Sequence, residues 1–177
     1  MTATYTNEPK IILREWFRGD IGSQTYAGLT DPNSANRGSA NWIYDDKPRD
    51  ELGENSYPRV SISTVNEANV LRGGASTLSY DRHHLQISIY TAERNTNLTS
   101  GGKSYDAQQL STILGRQIIT AFRNSFKLDK AVLTRLYIPT NESFLVSNPQ
   151  PRRDEERDLN VWVKDLEVIV RGFDTGE

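Results

Sequence analysis

Two histidines stand side by side at His83 and His84, and acids gather at Asp45, Asp46, Asp50, Glu51 and Glu54. Imidazoles and carboxylates are the groups from which a metal site or a general acid–base pair is built. Their spacing argues for neither. Neighbouring residues on an extended segment point to opposite faces, so the two imidazoles cannot share one metal ion. A weak site around one of them would have to draw on Asp81, and a solvated entrance to a strand is the simpler reading. Pro48 and Gly53 interrupt the acidic segment, so its carboxylates are not held rigidly and it reads as a solvated loop. Serines and acids are numerous enough for a serine–histidine–acid triad, but no nucleophile elbow accompanies them.

Gly101-Gly102-Lys103-Ser104 sits between a strand and a helix, as a phosphate-binding loop would. Such a loop needs a glycine at the position held here by Asn97, so that backbone amides can wrap the phosphates. The preceding strand ends too early, near Thr91, and no later apolar run ends in a magnesium-binding aspartate. The segment reads as a turn followed by a helix cap. A last charged run, Arg152-Arg153-Asp154-Glu155-Glu156-Arg157-Asp158, balances three basic against four acidic residues. It is either a solvated stretch or a strip that pairs with the same run on a neighbouring subunit.

Composition narrows the classes further. The chain has 177 residues, enough for one domain with a real core. Its 21 basic and 23 acidic residues leave a net charge of −2, with a pI of about 5.8. That balance gives no reason to expect a dedicated nucleic-acid binder, which shows a basic excess or stripe. A hydrophobic fraction of 36% and a mean hydropathy of −0.64 fit a small core carrying long solvated loops. There are no cysteines, which excludes disulfides, thiolate metal sites and cysteine nucleophiles. Residues 1–10 are polar, without the apolar stretch of a signal peptide, and no run is long enough to cross a bilayer as a helix. The sequons at Asn97 and Asn141 are then chance matches, and the expectation is a soluble protein made in a cytoplasm.

The elements that must position these residues follow from periodicity. Glu8 and Pro9 suit a first helical turn capped by Asn7, and Ile12 and Trp16 would dock that helix on a core. Residues 19–41 read as a polar loop and 42–44 as a brief aromatic strand. Over 59–65 and 85–91 the apolar residues alternate, with Val60 and Ile62 on one face and Leu85, Ile87 and Ile89 on another, so the two segments pair as antiparallel neighbours. Leu110, Ile113, Leu114, Ile118, Ala121 and Phe122 recur at helical spacing within 106–126 and should lie across that sheet. A short strand-like run at 133–138 is followed by a loop over 139–160, and the chain closes with a strand over 161–173. No core residue is expected within 149–158, so a deletion there should leave the fold intact. The fold class is α+β: a mostly antiparallel sheet with one long helix on a face, a short N-terminal helix and long loops.

The order of elements then becomes informative. Trp42-Ile43-Tyr44 leads into the acidic loop at Asp45–Asp50, then Tyr57-Pro58-Arg59-Val60-Ser61-Ile62, a hairpin to 85–90, the long helix and the closing strand 165–170. This order, over roughly residues 40–172, resembles the tail terminator (tail completion) proteins of long-tailed viruses of bacteria and archaea. The resemblance implies a structural virion protein, not an enzyme, with no catalytic residues, cofactor or metal. Its subunits would form a ring, usually hexameric, that caps the tail tube, stops its polymerisation and meets the head completion or connector protein. Viral DNA would pass through the channel unread, and no membrane is involved. The implied place is the tail–head junction of the virion, after synthesis in the host cytoplasm. Candidate interface residues are Trp42, Tyr44, Arg152, Arg153, Glu155, Glu156 and Arg157. The long segments 19–41 and 139–160 depart from the minimal pattern and leave another head–tail neck or connector protein as an alternative. From a different class, the alternative is a metal-dependent hydrolase or nuclease using the acids of 45–54 with His83 or His84.

Overall fold

Alternating apolar residues on two long strands build the centre of the molecule. In the computed structural model, which describes residues 9–19, 28–37, 41–46, 57–71, 79–93, 99–100, 103–128, 136–137, 145–154 and 159–173, β2 (Arg59–Leu71) and β3 (Ser79–Ala92) are antiparallel neighbours. Their register sets Val60 opposite Ile89 and Ile62 opposite Ile87. A register shift between Thr64 and Asn66 bulges β2 and leaves Val65 exposed. On its other side β3 pairs with the closing strand β9 (Leu159–Phe173), with Leu85 opposite Val168 and Ile87 opposite Leu166. Two-residue periodicity thus puts Val60, Ile62, Leu85, Ile87, Ile89, Leu166 and Val168 on one face, all buried.

The helix α3 (Ala107–Leu128) covers that face and buries Leu110, Leu114, Ile118, Ala121 and Phe122. Asp106 caps it: its carboxylate accepts from Gln109 N at 2.7 Å, and its carbonyl from Leu110 N at 2.8 Å. Before the cap, β4 (Thr99–Ser100) and β5 (Lys103–Ser104) form a small antiparallel pair. Lys103 and Ser104 therefore lie on a paired strand, while Gly101 and Gly102 lie outside the described residues. Gly115 faces the sheet where a side chain would collide with Lys164, its Cβ falling 2.9 Å from Lys164 Cε.

The first apolar repeat is a helix, α1 (Pro9–Arg18), which buries Ile12, Leu13, Trp16 and Phe17. Trp16 and Phe17 meet Phe122 of α3 with ring centres 5.4 and 5.6 Å apart, which joins the two helices through aromatic contacts. Gly19, at φ 80°, ends α1 in the left-handed region. Gly28 then returns over the helix end at φ 89°, where a Cβ would lie 2.7 Å from the backbone of Arg18 and Gly19. That close approach lets Leu29 N donate to Phe17 O at 2.7 Å, satisfying a carbonyl the helix leaves open.

Two segments read as loop carry structure. Within 19–41, a short helix α2 (Ser34–Arg37) belongs to a polar clamp. The Arg37 guanidinium, with its side chain only 3% exposed, meets Asp31 at 2.8 Å and donates to Pro58 O at 2.5 Å. Buried Asn33 donates to Tyr57 O at 2.8 Å. The clamp fixes the corner at Tyr57-Pro58, whose peptide is cis. Within 139–160, β7 (Leu145–Val146) and β8 (Gln150–Asp154) both pair with β9, as β6 (Leu136–Tyr137) does before them. On the other side of the sheet β1 (Ile43–Asp45) runs parallel to β2, giving a seven-stranded sheet β1-β2-β3-β9 with β6, β7 and β8 along the far flank of β9.

Candidate subunit interface

A sheet edge offers unpaired N–H and C=O groups to any strand that arrives, so how each edge is finished bears on assembly. At the first edge Trp42 O accepts from Val60 N at 2.8 Å. The next carbonyl, Ile43 O, faces away from β2, and the Arg18 guanidinium donates to it through Nε at 3.0 Å and through Nη2. Arg14 binds Asp45 and Lys10 binds Asp46, each at 2.7 Å. Three cations at successive turns of α1 thus lock the helix over β1. Burial would raise the Asp45 pKa, but the Arg14 hydrogen bond, its own backbone amide and the charges of Arg14 and Lys10 outweigh it and hold the carboxyl below its ordinary value. Two of the five clustered acids are therefore ion-paired to α1, and Asp50, Glu51 and Glu54 lie outside the described residues.

The opposite edge is finished differently. Among the described residues no strand pairs with the outer side of β8, and Gln150, Pro151, Arg152 and Arg153 are all exposed. Pro151 removes one donor from this edge and the arginines add charge, two features that discourage indiscriminate strand addition. Arg153 donates to Asn160 at 2.9 Å, and Asn160 to Glu93 at 2.8 Å, so this guanidinium is tied across the hairpin. Beside it, Leu145 is 62% and Val146 45% exposed, two of the three large apolar residues exposed in the described part of the chain.

A buried lysine holds this flank in place. Lys164 lies against Gly115, and its ammonium donates to Ser147 O at 2.7 Å. Ser147 in turn bonds both ways with the backbone of Asp165, at 2.9 Å each. Burial pushes the Lys164 pKa down, and the Arg116 charge adds to the effect.

The residues singled out from sequence are scattered over this frame. Trp42 is only 6% exposed and packs in the main core, so its ring is spent within the chain and is not offered to a neighbour. Tyr44 is half-buried, and its hydroxyl donates to Asn41 O. Burial raises its pKa, against the charges of Arg37, Arg18 and Arg59. Arg152 and Arg153 lie on β8, a strand rather than the loop expected, while Glu155, Glu156 and Arg157 lie outside the described residues. His84 Nε2 meets Glu167 at 2.9 Å, and Ser88 donates to Asp165 at 2.6 Å. These are two separate pairs, about 13 Å apart along β3, not a serine–histidine–acid relay. Among the described residues no three His, Asp or Glu side chains gather where a metal ion would be held.

Sequence reasoning missed the Arg18 plug and the Asp31–Asn33–Arg37 clamp. The clamp left one signal: Asp31 two residues before Asn33 is the composition of an Asx turn, and Asn33 N donates to Asp31 at 2.9 Å. The Arg18 contact leaves none, because it joins residues 25 apart through one carbonyl. Neither protein-family models nor curated proteins give a match to this chain.

Proposed function

We propose that this chain is a structural virion subunit that forms a closed ring of six, caps the tail tube, ends its polymerisation and joins the tail to the head connector. It works by assembly rather than by chemistry. The observation that carries the reading is the asymmetry of the sheet: one edge is sealed by α1, and the other presents Leu145, Val146, Arg152 and Arg153. Two unlike flanks are what a ring subunit needs, because each copy must meet its neighbours through different surfaces and closure then limits the assembly. The element order shared with tail terminators supports the same reading. The tail tube protein and the head completion protein are the partners, and DNA passes through the channel unread. Imaging of purified particles provides the test. A ring of this chain at the tail–head junction is expected; particles that lack it there, or hold it in no ring, overturn the proposal.

A further inference from the structure

Arg59 opens β2 on the face of the sheet turned away from α3, with Tyr90 opposite it on β3. Its guanidinium carbon lies 4.7 Å from the ring centre of Tyr57 and 4.9 Å from that of Tyr90, within cation–π range of both. Tyr57 is buried and its carbonyl accepts from Asn33, so the first ring is fixed. Tyr90 packs on the small apolar cluster of Tyr57, Ala92, Leu159, Val161 and Val163, which steadies the second. Two rings hold this cation, yet no polar group answers it. Among the described residues Arg59 makes no hydrogen bond or ion pair, and its Nε is buried without an acceptor. The charges that act on the nearby Tyr44 hydroxyl are those of Arg37, Arg18 and Arg59, with Asp31 as the opposing acid. Asp31 is already bound to Arg37, and Arg18 to Ile43 O. Of these cations Arg59 is the one left without an acceptor.

We infer that Arg59, held against Tyr57 and Tyr90, is a binding site for a carboxylate from outside the chain, either a small free carboxylate or an acidic side chain of another protein. The site does not depend on the chain forming a ring. A charge partly withdrawn from water needs a counterion or hydrogen-bond acceptors to offset the lost hydration, and the rings supply only part of that. Arg59 as a whole is half-buried, so the residue still meets solvent although its Nε is enclosed. The ligand arrives at the Nη edge. Shape then selects its class. A guanidinium donates within its own plane, and a carboxylate lies flat in that plane and accepts two parallel bonds. A tetrahedral phosphate carries oxygens above and below the plane, towards ring faces that are themselves negative. Two ring faces beside the fork therefore favour the planar anion. They also restrict the side chain before the ligand binds, which lowers the ordering cost.

Arginine side-chain NMR on the full chain tests this. A buried Nε–H exchanges slowly with water, so Arg59 should give a distinct Nε–Hε signal, assigned by its loss in Arg59→Lys. The wild type is titrated with sodium acetate, with the peptide acetyl-Gly-Glu-Gly-amide and with inorganic phosphate. Ionic strength is held constant with sodium chloride, in a slightly acidic buffer where phosphate is largely singly charged. Acetate and the peptide should each shift the Arg59 signal to saturation, and phosphate should bind at least tenfold more weakly. A peptide that binds more tightly than acetate identifies the source as a protein side chain; acetate that binds as tightly or more so identifies a free carboxylate. Both results uphold the site. Backbone signals of residues 57–61 follow binding in the variants. Arg59→Lys, which keeps the charge but not the fork, should lose at least tenfold in affinity. Tyr90→Leu, which keeps the arginine and removes one ring, should lose at least threefold, with melting temperatures confirming both folds. Should Arg59→Lys fail to fold, the wild-type titrations and Tyr90→Leu decide. Shifts that do not saturate, phosphate binding as tight as acetate, or affinity indifferent to both variants overturn the inference. Carboxylate binding through Arg59 in a chain that forms no ring overturns the proposed assembly and not the site.

Discussion

Ile87 of β3 and Ile118 of α3 both belong to the main core, and each is fully buried. Truncation of either to alanine removes three methylene-sized groups and leaves a cavity, so each should cost about 2–5 kcal/mol in unfolding free energy. Chemical denaturation of the two variants measures it. The Asp45–Arg14 pair makes a smaller contribution with a distinct pH signature. Because the folded state holds the Asp45 pKa below its ordinary 3.8, the folded form binds fewer protons than the unfolded form in that range. Its stabilisation is therefore complete above the ordinary value and is lost as the pH falls through the lowered one. Asp45→Asn should cost about 0.5–1 kcal/mol near neutrality, since the pair is partly exposed, and the gap to the wild type should narrow in acid. Both positions differ in how readable they were. Ile87 and Ile118 declared themselves by period, whereas the ion pair joins residues 31 apart that sequence assigned to a helix and to a loose acidic loop.

At the scale of elements, periodicity decided what could be foreseen. The strands β2, β3 and β9 and the helix α3 carry enough alternating or helically spaced apolar residues to be read directly, and α1 declared itself through Ile12 and Trp16. The strand β6 falls inside the short apolar run 133–138, whereas β7 has two residues, too few to show any period, and pairs along β9. The strand β8, with Pro151 and two arginines, reads as loop by composition and is held by the same strand. This revises what a deletion does. Removing 149–154 strips the partner from Leu159–Val163 and opens the β9 backbone over that length. The expected outcome is not an intact fold but a lower melting temperature and loss of soluble protein. A melting curve and a sedimentation assay of the deletion variant check both.

For the whole molecule, the separation of His84–Glu167 from Ser88–Asp165 and the pairing of Asp46 with Lys10 make one prediction jointly. If the chain is the ring subunit proposed above, Asp46→Ala, Glu51→Ala and His84→Ala should each support assembly of complete virions, scored by particle yield. Loss of virions in all three with folding and oligomerisation intact would instead point to chemistry. The Arg18 guanidinium on Ile43 O acts on the sheet edge as an end-cap acts on a growing polymer. A monomer that can form two bonds of one kind makes chains; a monomer that can form one makes only pairs. By occupying an outward carbonyl of β1, Arg18 takes from this edge an acceptor that a further strand would need. One side chain thus works against growth of the ladder at this edge, in the way that capping a reactive end works against chain growth.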